Sequence, residues 1–146
     1  MSVGDGGAMP WYGCGMRLFL EMAAGHGLMA VALGAFGAHG LQKHAATWAD
    51  AAKRLEWWQT ASHYQLAHAL ALGLIGMWTR ASTWESTPTA LKISGWSFFI
   101  GALLFSGTLY LMTLSNQRWL GAITPLGGSL LLVGWAAMLW AAIQGA

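Results

Sequence analysis

Residues 93–114 read ISGWSFFIGALLFSGTLYLMTL, with no charged side chain among them. At about 1.5 Å per residue a helix of this length reaches roughly 33 Å, enough to cross about 30 Å of hydrocarbon. Lys92 closes the stretch at one end and Arg118 lies beyond the other. This segment sets the terms for the whole chain, because three others resemble it. The charged residues leave four blocks free of charge: Met22–Gln42, Trp57–Thr79, Ile93–Gln117 and Trp119–Ala146. In lipid a backbone must satisfy its own hydrogen bonds, which selects helices. No short alternating segments of the kind that build a barrel are present. The expected fold is all-α: an integral membrane antiparallel four-helix bundle with spans near 18–40, 61–78, 93–114 and 125–143.

Composition agrees. Of 146 residues, 56% are hydrophobic and 8% charged, with a formal net charge of +2 and a mean hydropathy of +0.49. A soluble domain carries about 25% charged residues. So few charges cannot cover a soluble surface, which excludes an ordinary cytosolic enzyme and a disordered chain. No basic stripe tracks a phosphate backbone, so no nucleic-acid partner is expected. The single cysteine, Cys14, excludes an intramolecular disulfide and a cysteine-based metal knuckle.

The connections are short. Residues 41–60 mix Lys43, Asp50, Lys53, Arg54 and Glu56 with alanines. They read equally as a short helix in the headgroup layer or as a solvated connector. Arg80–Lys92 reads as a polar loop, with Ser86, Thr87 and Pro88 as turn residues. At the end of the third connection, Ser115–Thr124, Thr124 reads as an N-cap and Pro125 as the first helical residue. Residues 1–16 are Gly-rich and lack Lys and Arg, so they read as a flexible or partner-contacting arm. Residues 17–146 form the single membrane domain. Arg17 then opens a retained first span. Trp57, Trp58, Trp78, Trp96, Trp119 and Trp140 fall near span ends, as in an interfacial belt. Four spans put both ends on one side, with Arg17, Arg80 and Lys92. Lys43, Lys53, Arg54 and Arg118 lie opposite, which leaves orientation open.

Small residues supply the packing faces. Gly27, Ala30, Gly34 and Gly37 share one face of the first span, with Ala23. Gly127, Gly134 and Ala141 recur on the fourth, and Gly95, Ala102 and Ser106 on the third. Such positions let helices approach closely in lipid.

Chemistry-bearing groups are few. His26, His39, His44, His63 and His68 all lie in the first half. Imidazoles between helices hydrogen-bond carbonyls and hydroxyls. A haem or metal at His39, His63 and His68, near one membrane surface, is the alternative, and proton relay a third. Glu21, one turn from Arg17, reads as its ion-pair partner or a helix-start charge. Tyr64 with His68, and Ser106 with Tyr110, stand one turn apart and could pair; they read as glue between helices rather than as catalytic groups. No G-x-S-x-G, H-E-x-x-H or P-loop pattern occurs, and no catalytic residue is assigned. Beyond the surrounding lipids, no cofactor is expected.

Four strings occur in order along the chain: Val31-Ala-Leu-Gly-Ala-Phe-Gly-Ala-His39, Tyr64-Gln-Leu-Ala-His-Ala-Leu-Ala-Leu72, Leu104-Phe-Ser-Gly-Thr-Leu-Tyr110, and Ile123-Thr-Pro-Leu-Gly-Gly128 followed by Gly134-Trp135. Together they resemble the small YgdD-like membrane proteins, the domain of unknown function 423 family, over about Met16–Ile143. The resemblance implies a four-helix protein of the bacterial inner membrane, with relatives in mitochondria and both ends facing the cytoplasm. It brings no reaction, substrate or cofactor. His39, Tyr64, His68, Ser106, Tyr110, Thr124 and Pro125 fall on the family-like strings, whereas His26, His44 and His63 do not. The expected role is that of an accessory or structural subunit of a larger respiratory or photosynthetic membrane complex, docking through small-residue and Trp-rich faces. The alternatives are an oligomeric carrier or channel for a small solute or proton, and a haem- or metal-binding redox protein.

Overall fold

The structure, a computed structural model, describes residues 14–81 and 87–145. Among the described residues there are helices and no strand. Helix α1 spans Cys14–Phe36 and continues through a π-helical turn, Gly37–Leu41, into the short helix α2, Gln42–Ala45. Helix α3 spans Ala51–Ala81 and α4 Thr89–Ser115. A 3-10 turn at Arg118–Ala122 leads into α5, Thr124–Ile143. Of the four long helices, three lie in stretches long and apolar enough to cross a membrane: Arg17–Ala45, Thr89–Ser115 and Arg118–Ile143. Most of the expected arm, and residues 82–86 of the Arg80–Lys92 connection, lie outside the described residues; α1 already begins at Cys14.

The connector between α1 and α3 is itself largely helical. Residues 51–60 are the first turns of α3, so this helix begins ten residues ahead of the expected Ala61 and its alanines extend the helix. Only α2 and the turn after it remain as connection.

Neighbouring helices meet in sequence order: α1 on α3, α3 on α4, and α4 on α5. On α1, Leu20, Gly27, Gly34 and Gly37 face Gly76, Ala69, Ser62 and Trp58 of α3, so numbers rise on one helix as they fall on the other. The same inversion pairs Phe98 and Phe105 of α4 with Gly134 and Gly127 of α5. One core cluster gathers Phe19, Leu72, Ile75, Leu91, Phe98 and Leu131, and a second gathers Leu41, Trp58, Ala61, Leu109 and Met112.

The π turn has a local cause. The indole Nε1–H of Trp58 donates to the carbonyl of Leu33 at 2.7 Å. In an α-helix that carbonyl would receive the N–H of Gly37, the first residue of the turn. A side chain inserted into the ladder displaces such a bond. A Cβ at Gly37 would run into the indole ring, so glycine is what lets Trp58 enter. Trp58 is therefore a buried packing residue and not part of an interfacial belt, whereas Trp96, Trp119 and Trp140 are exposed.

Arg54 joins the start of α3 to the end of α4. It is 7% exposed, and its Nε donates to the carbonyl of Thr113 at 2.8 Å. Nη2 donates to the carbonyls of Thr113 and Leu114. These carbonyls lie in the last turn of α4, where a cation is favoured. The hydroxyl of Thr113 returns a bond to the carbonyl of Arg54 at 3.1 Å. The guanidinium stacks 3.5 Å from the ring centre of Trp48. Asp50 stands 4.0 Å from Arg54 and 3.2 Å from Arg118. Asn116 then ends α4 in the left-handed region, at φ 57°.

Candidate functional site

Apart from Thr124 and His39, the residues singled out in the sequence fall into two places. Tyr64, His68 and Pro125 line one cavity of about 420 Å³ between α3, α4 and α5, together with Phe105, Gly128, Ser129, Leu131, Leu132 and Trp135. Ser106 and Tyr110 face α3 in a polar seam beside it. His39 is exposed at the π turn and lines neither this cavity nor the groove between α1 and α3.

The cavity wall is aromatic. The Tyr64 ring stacks on Phe105 with centres 4.5 Å apart and on His68 at 5.9 Å. Phe98 and Trp135 meet edge-on at 5.0 Å behind His68. Gly127 allows this arrangement, since a Cβ there would overlap the backbone of Phe105. The hydroxyl of Ser129 donates to the carbonyl of Pro125 at 2.9 Å.

The hydrogen bonds of His68 fix its tautomer. Nδ1 lies 2.7 Å from the carbonyl of Tyr64, and a carbonyl only accepts, so Nδ1 carries a proton. The indole Nε1–H of Trp135 lies 3.2 Å from Nε2, and an indole only donates, so Nε2 offers its lone pair. The ring is a neutral imidazole with both nitrogens engaged. As arranged, that lone pair is not free to take a proton or to ligate a metal. His68 and Tyr64 do not join side chain to side chain, as the sequence suggests. The local acceptor is the backbone carbonyl one turn back, which leaves the rings to stack.

Ser106 and Tyr110 do not bond to each other; both reach across to α3. Ser106 Oγ donates to the carbonyl of Ala61 at 2.8 Å, and the Tyr110 hydroxyl donates to Gln65 Oε1 at 3.0 Å. A partner on α3 satisfies both hydroxyls inside the apolar interior, where an unmet hydroxyl is costly. Thr124 does not cap its own helix. Its hydroxyl meets that of Thr108 on α4 at 2.9 Å, while Pro125 occupies the first turn of α5. On the α4–α5 side, Ser94 Oγ donates to the carbonyl of Gly134 at 2.8 Å.

The remaining histidines do not gather. His39, His44 and His63 are exposed, and His44 Nδ1 turns back to the carbonyl of Gly40 at 3.2 Å. Among the described residues no three His, Cys, Asp or Glu side chains come together as metal ligands do, so His39, His63 and His68 form no common site. His26 is 3% exposed, with neither ring nitrogen partnered among the described residues, and it stands edge-on to Phe99 at 5.2 Å. Glu21 accepts from Nε of Arg17 at 2.8 Å on the exposed surface.

The small residues have distinct surroundings. A Cβ at Gly27 or Gly34 would find ordinary contact with Ala69 or Ser62, at 4.0 and 3.8 Å. One at Gly134 would strike the ring of Phe98, and Ala30 and Ala141 are buried. Sequence reasoning missed Arg54, Gln65, Thr108, Thr113 and the indole of Trp135 as structural bonds. Gln65 and Arg54 left a trace: each is a polar residue at a position that a span or its edge would otherwise fill with an apolar one.

A profile described as a protein of unknown function (DUF423) matches residues 33–128. A UPF0382 membrane protein of Staphylococcus epidermidis is 37% identical over 129 residues, which covers 88% of this chain and 98% of that one. One of Staphylococcus saprophyticus is 40% identical over 126 residues, covering 85% and 95%. The UPF0382 membrane protein YwdK of Bacillus subtilis is 38% identical over 130 residues, covering 88% and 98%. No solved structure matches.

Proposed function

Since the chain belongs to the DUF423 family of bacterial membrane proteins of unknown function, we propose that it crosses the inner membrane four times as an antiparallel four-helix bundle and serves as a non-catalytic accessory subunit of a larger membrane complex.

The fourth crossing is α3. Its average hydropathy is lowered by Lys53, Glu56, Gln59, His63 and Arg80, which are exposed and lie mostly toward its two ends, and by Arg54, Ser62, Gln65, His68 and Thr79, which are buried. Leu66, Leu70, Leu74 and Met77 recur along its outer face, all exposed. That face suits lipid for most of its length, and the buried polar groups are sheltered by the neighbouring helices.

One observation carries the accessory role. The polar groups of the α3–α4–α5 interior hold helices together: Ser106 to Ala61, Tyr110 to Gln65, Trp135 to His68, Thr108 to Thr124 and Ser94 to Gly134. No pair of acid and base stands ready across the cavity. Large apolar side chains, Leu28, Val31, Leu132, Leu139 and Trp140 among them, point outward from α1 and α5. These faces suit lipid and the apolar helices of neighbouring subunits. Extraction in mild detergent followed by native electrophoresis tests the role. Migration with a larger complex is expected, and migration only as a free protomer or small homo-oligomer contradicts it. A solute carrier would need a polar path through His39, Tyr64 and His68, and the separation of His39 from the cavity speaks against it.

A further inference from the structure

Between α1 and α3 lies a groove of about 550 Å³ that the packing does not fill. Its α1 wall is small residues, Ala30, Gly34, Ala35 and Ala38, and its upper rim carries Gln42 and Gln59. From Leu55 to Leu66 on the α3 wall it descends about 16 Å at 1.5 Å per residue, half of the roughly 30 Å hydrocarbon thickness. Its shallow end adjoins the charged turns around Asp50, Lys53 and Glu56, and its deep end is apolar at Val31 and Leu66. The groove is thus about one leaflet deep, with Gln42 and Gln59 nearer its shallow end, Ser62 and His63 further in, and Val31 and Leu66 at its deep end.

Its polar side chains differ from those of the interior. Gln42, Gln59 and His63 line the groove, and their side chains make no hydrogen bond to another described residue. Each carries an N–H able to donate. A transmembrane helix seated here would bring a backbone already satisfied within itself and would leave these three groups unmet. A phospholipid brings acceptor oxygens at the interface and an apolar chain below. Charge adds a preference: with Arg54 bound to the carbonyls of Thr113 and Leu114 and Arg118 paired with Asp50, the exposed charges at this end are Lys43, which follows Gln42 in α2 outside the groove lining, and Lys53, against Glu56.

We propose that this groove binds one anionic phospholipid of its leaflet, with an acyl chain along Ala30, Gly34, Ala35 and Ala38 and the phosphate and ester oxygens at Gln42, Lys43, Gln59 and His63. The site holds a lipid at an edge of the fold separate from the aromatic cavity, and it does not depend on the accessory role.

Native mass spectrometry of the purified, delipidated full chain, titrated separately with phosphatidylglycerol, phosphatidylcholine and inorganic phosphate, tests this. The expected result is a single lipid adduct that favours phosphatidylglycerol about fivefold, the effect of one lysine near an anionic headgroup. Ala35→Leu with Ala38→Leu, both exposed small residues, should remove the adduct, while Val133→Leu on α5 retains it. Lys43→Gln should bring the two lipids to parity. Gln59→Leu with His63→Leu places apolar groups on a lipid-facing wall without disturbing a described contact, and should weaken the adduct even if the filled groove impairs folding. An undiminished adduct in both double variants, equal affinity of the parent for the two lipids, inorganic phosphate binding as well as lipid, or a dimer cross-linked through Ala38→Cys would each overturn the proposal.

Discussion

The indole N–H of Trp135 donates to Nε2 of His68 across the α3–α5 gap at 3.2 Å, while Nδ1 of the same ring donates to the carbonyl of Tyr64. This pairing converts a histidine that the sequence offers as a ligand or proton carrier into a fixed strut. A double-mutant cycle of His68→Phe and Trp135→Phe should return a coupling of about 0.6 kcal/mol, the usual size for a hydrogen bond between membrane helices. Reversible unfolding of the full chain in detergent measures it. Zero coupling would mean that the two side chains do not meet in solution.

Arg54→Ala leaves the last carbonyls of α4 without their charged donor, and a loss of about 2 kcal/mol of stability is expected. Arg54→Lys should recover only part of it, since one ammonium cannot reproduce the fork that reaches Thr113 and Leu114. Arg118→Gln, which breaks an exposed ion pair with Asp50, should cost less than about 1 kcal/mol. Thermal denaturation of the three variants ranks them.

Glycines divide by what surrounds them. Gly127→Ala drives a methyl group into the Phe105 backbone and should cost about 2 kcal/mol or more. Gly107→Ala meets nothing within 4 Å, and should be neutral or raise stability by up to about 1 kcal/mol. Equal effects would show that α4 and α5 do not approach as closely as described.

His26→Leu replaces a buried imidazole lacking a described partner with an apolar side chain. Removing an unsatisfied polar group without leaving a cavity should be neutral or stabilising by about 1 kcal/mol. A clear drop in melting temperature would reveal a partner for His26 that the described residues do not supply.

Much of this fold is legible along the chain. The charge-free blocks locate all four long helices, and Gly27, Gly34, Gly127 and Gly134 stand at helix contacts. What stays hidden is pairing over long separations. Ser106 and Tyr110 are neighbours on one turn, yet their partners, Ala61 and Gln65, lie 45 residues away. Arg54 reads as a connector charge until the end of α4, 59 residues on, supplies its acceptors. Trp58 sits where an interfacial tryptophan belongs, and only the glycine at position 37 shows that its ring turns inward. The His39, His63 and His68 grouping rests on closeness to one membrane surface, whereas the structure leaves His39 and His63 exposed and buries His68 against Trp135.

The decisive question is whether α3 crosses the bilayer, since only three of the long helices lie in stretches apolar enough to do so on composition alone. Its buried Arg54, Gln65 and His68 and its exposed Leu70, Leu74 and Met77 favour a crossing. Compartment-sensitive reporters fused to the two ends of the full chain in living bacteria read the outcome directly. Both ends on the same face of the membrane is the expected result; ends on opposite faces would contradict it.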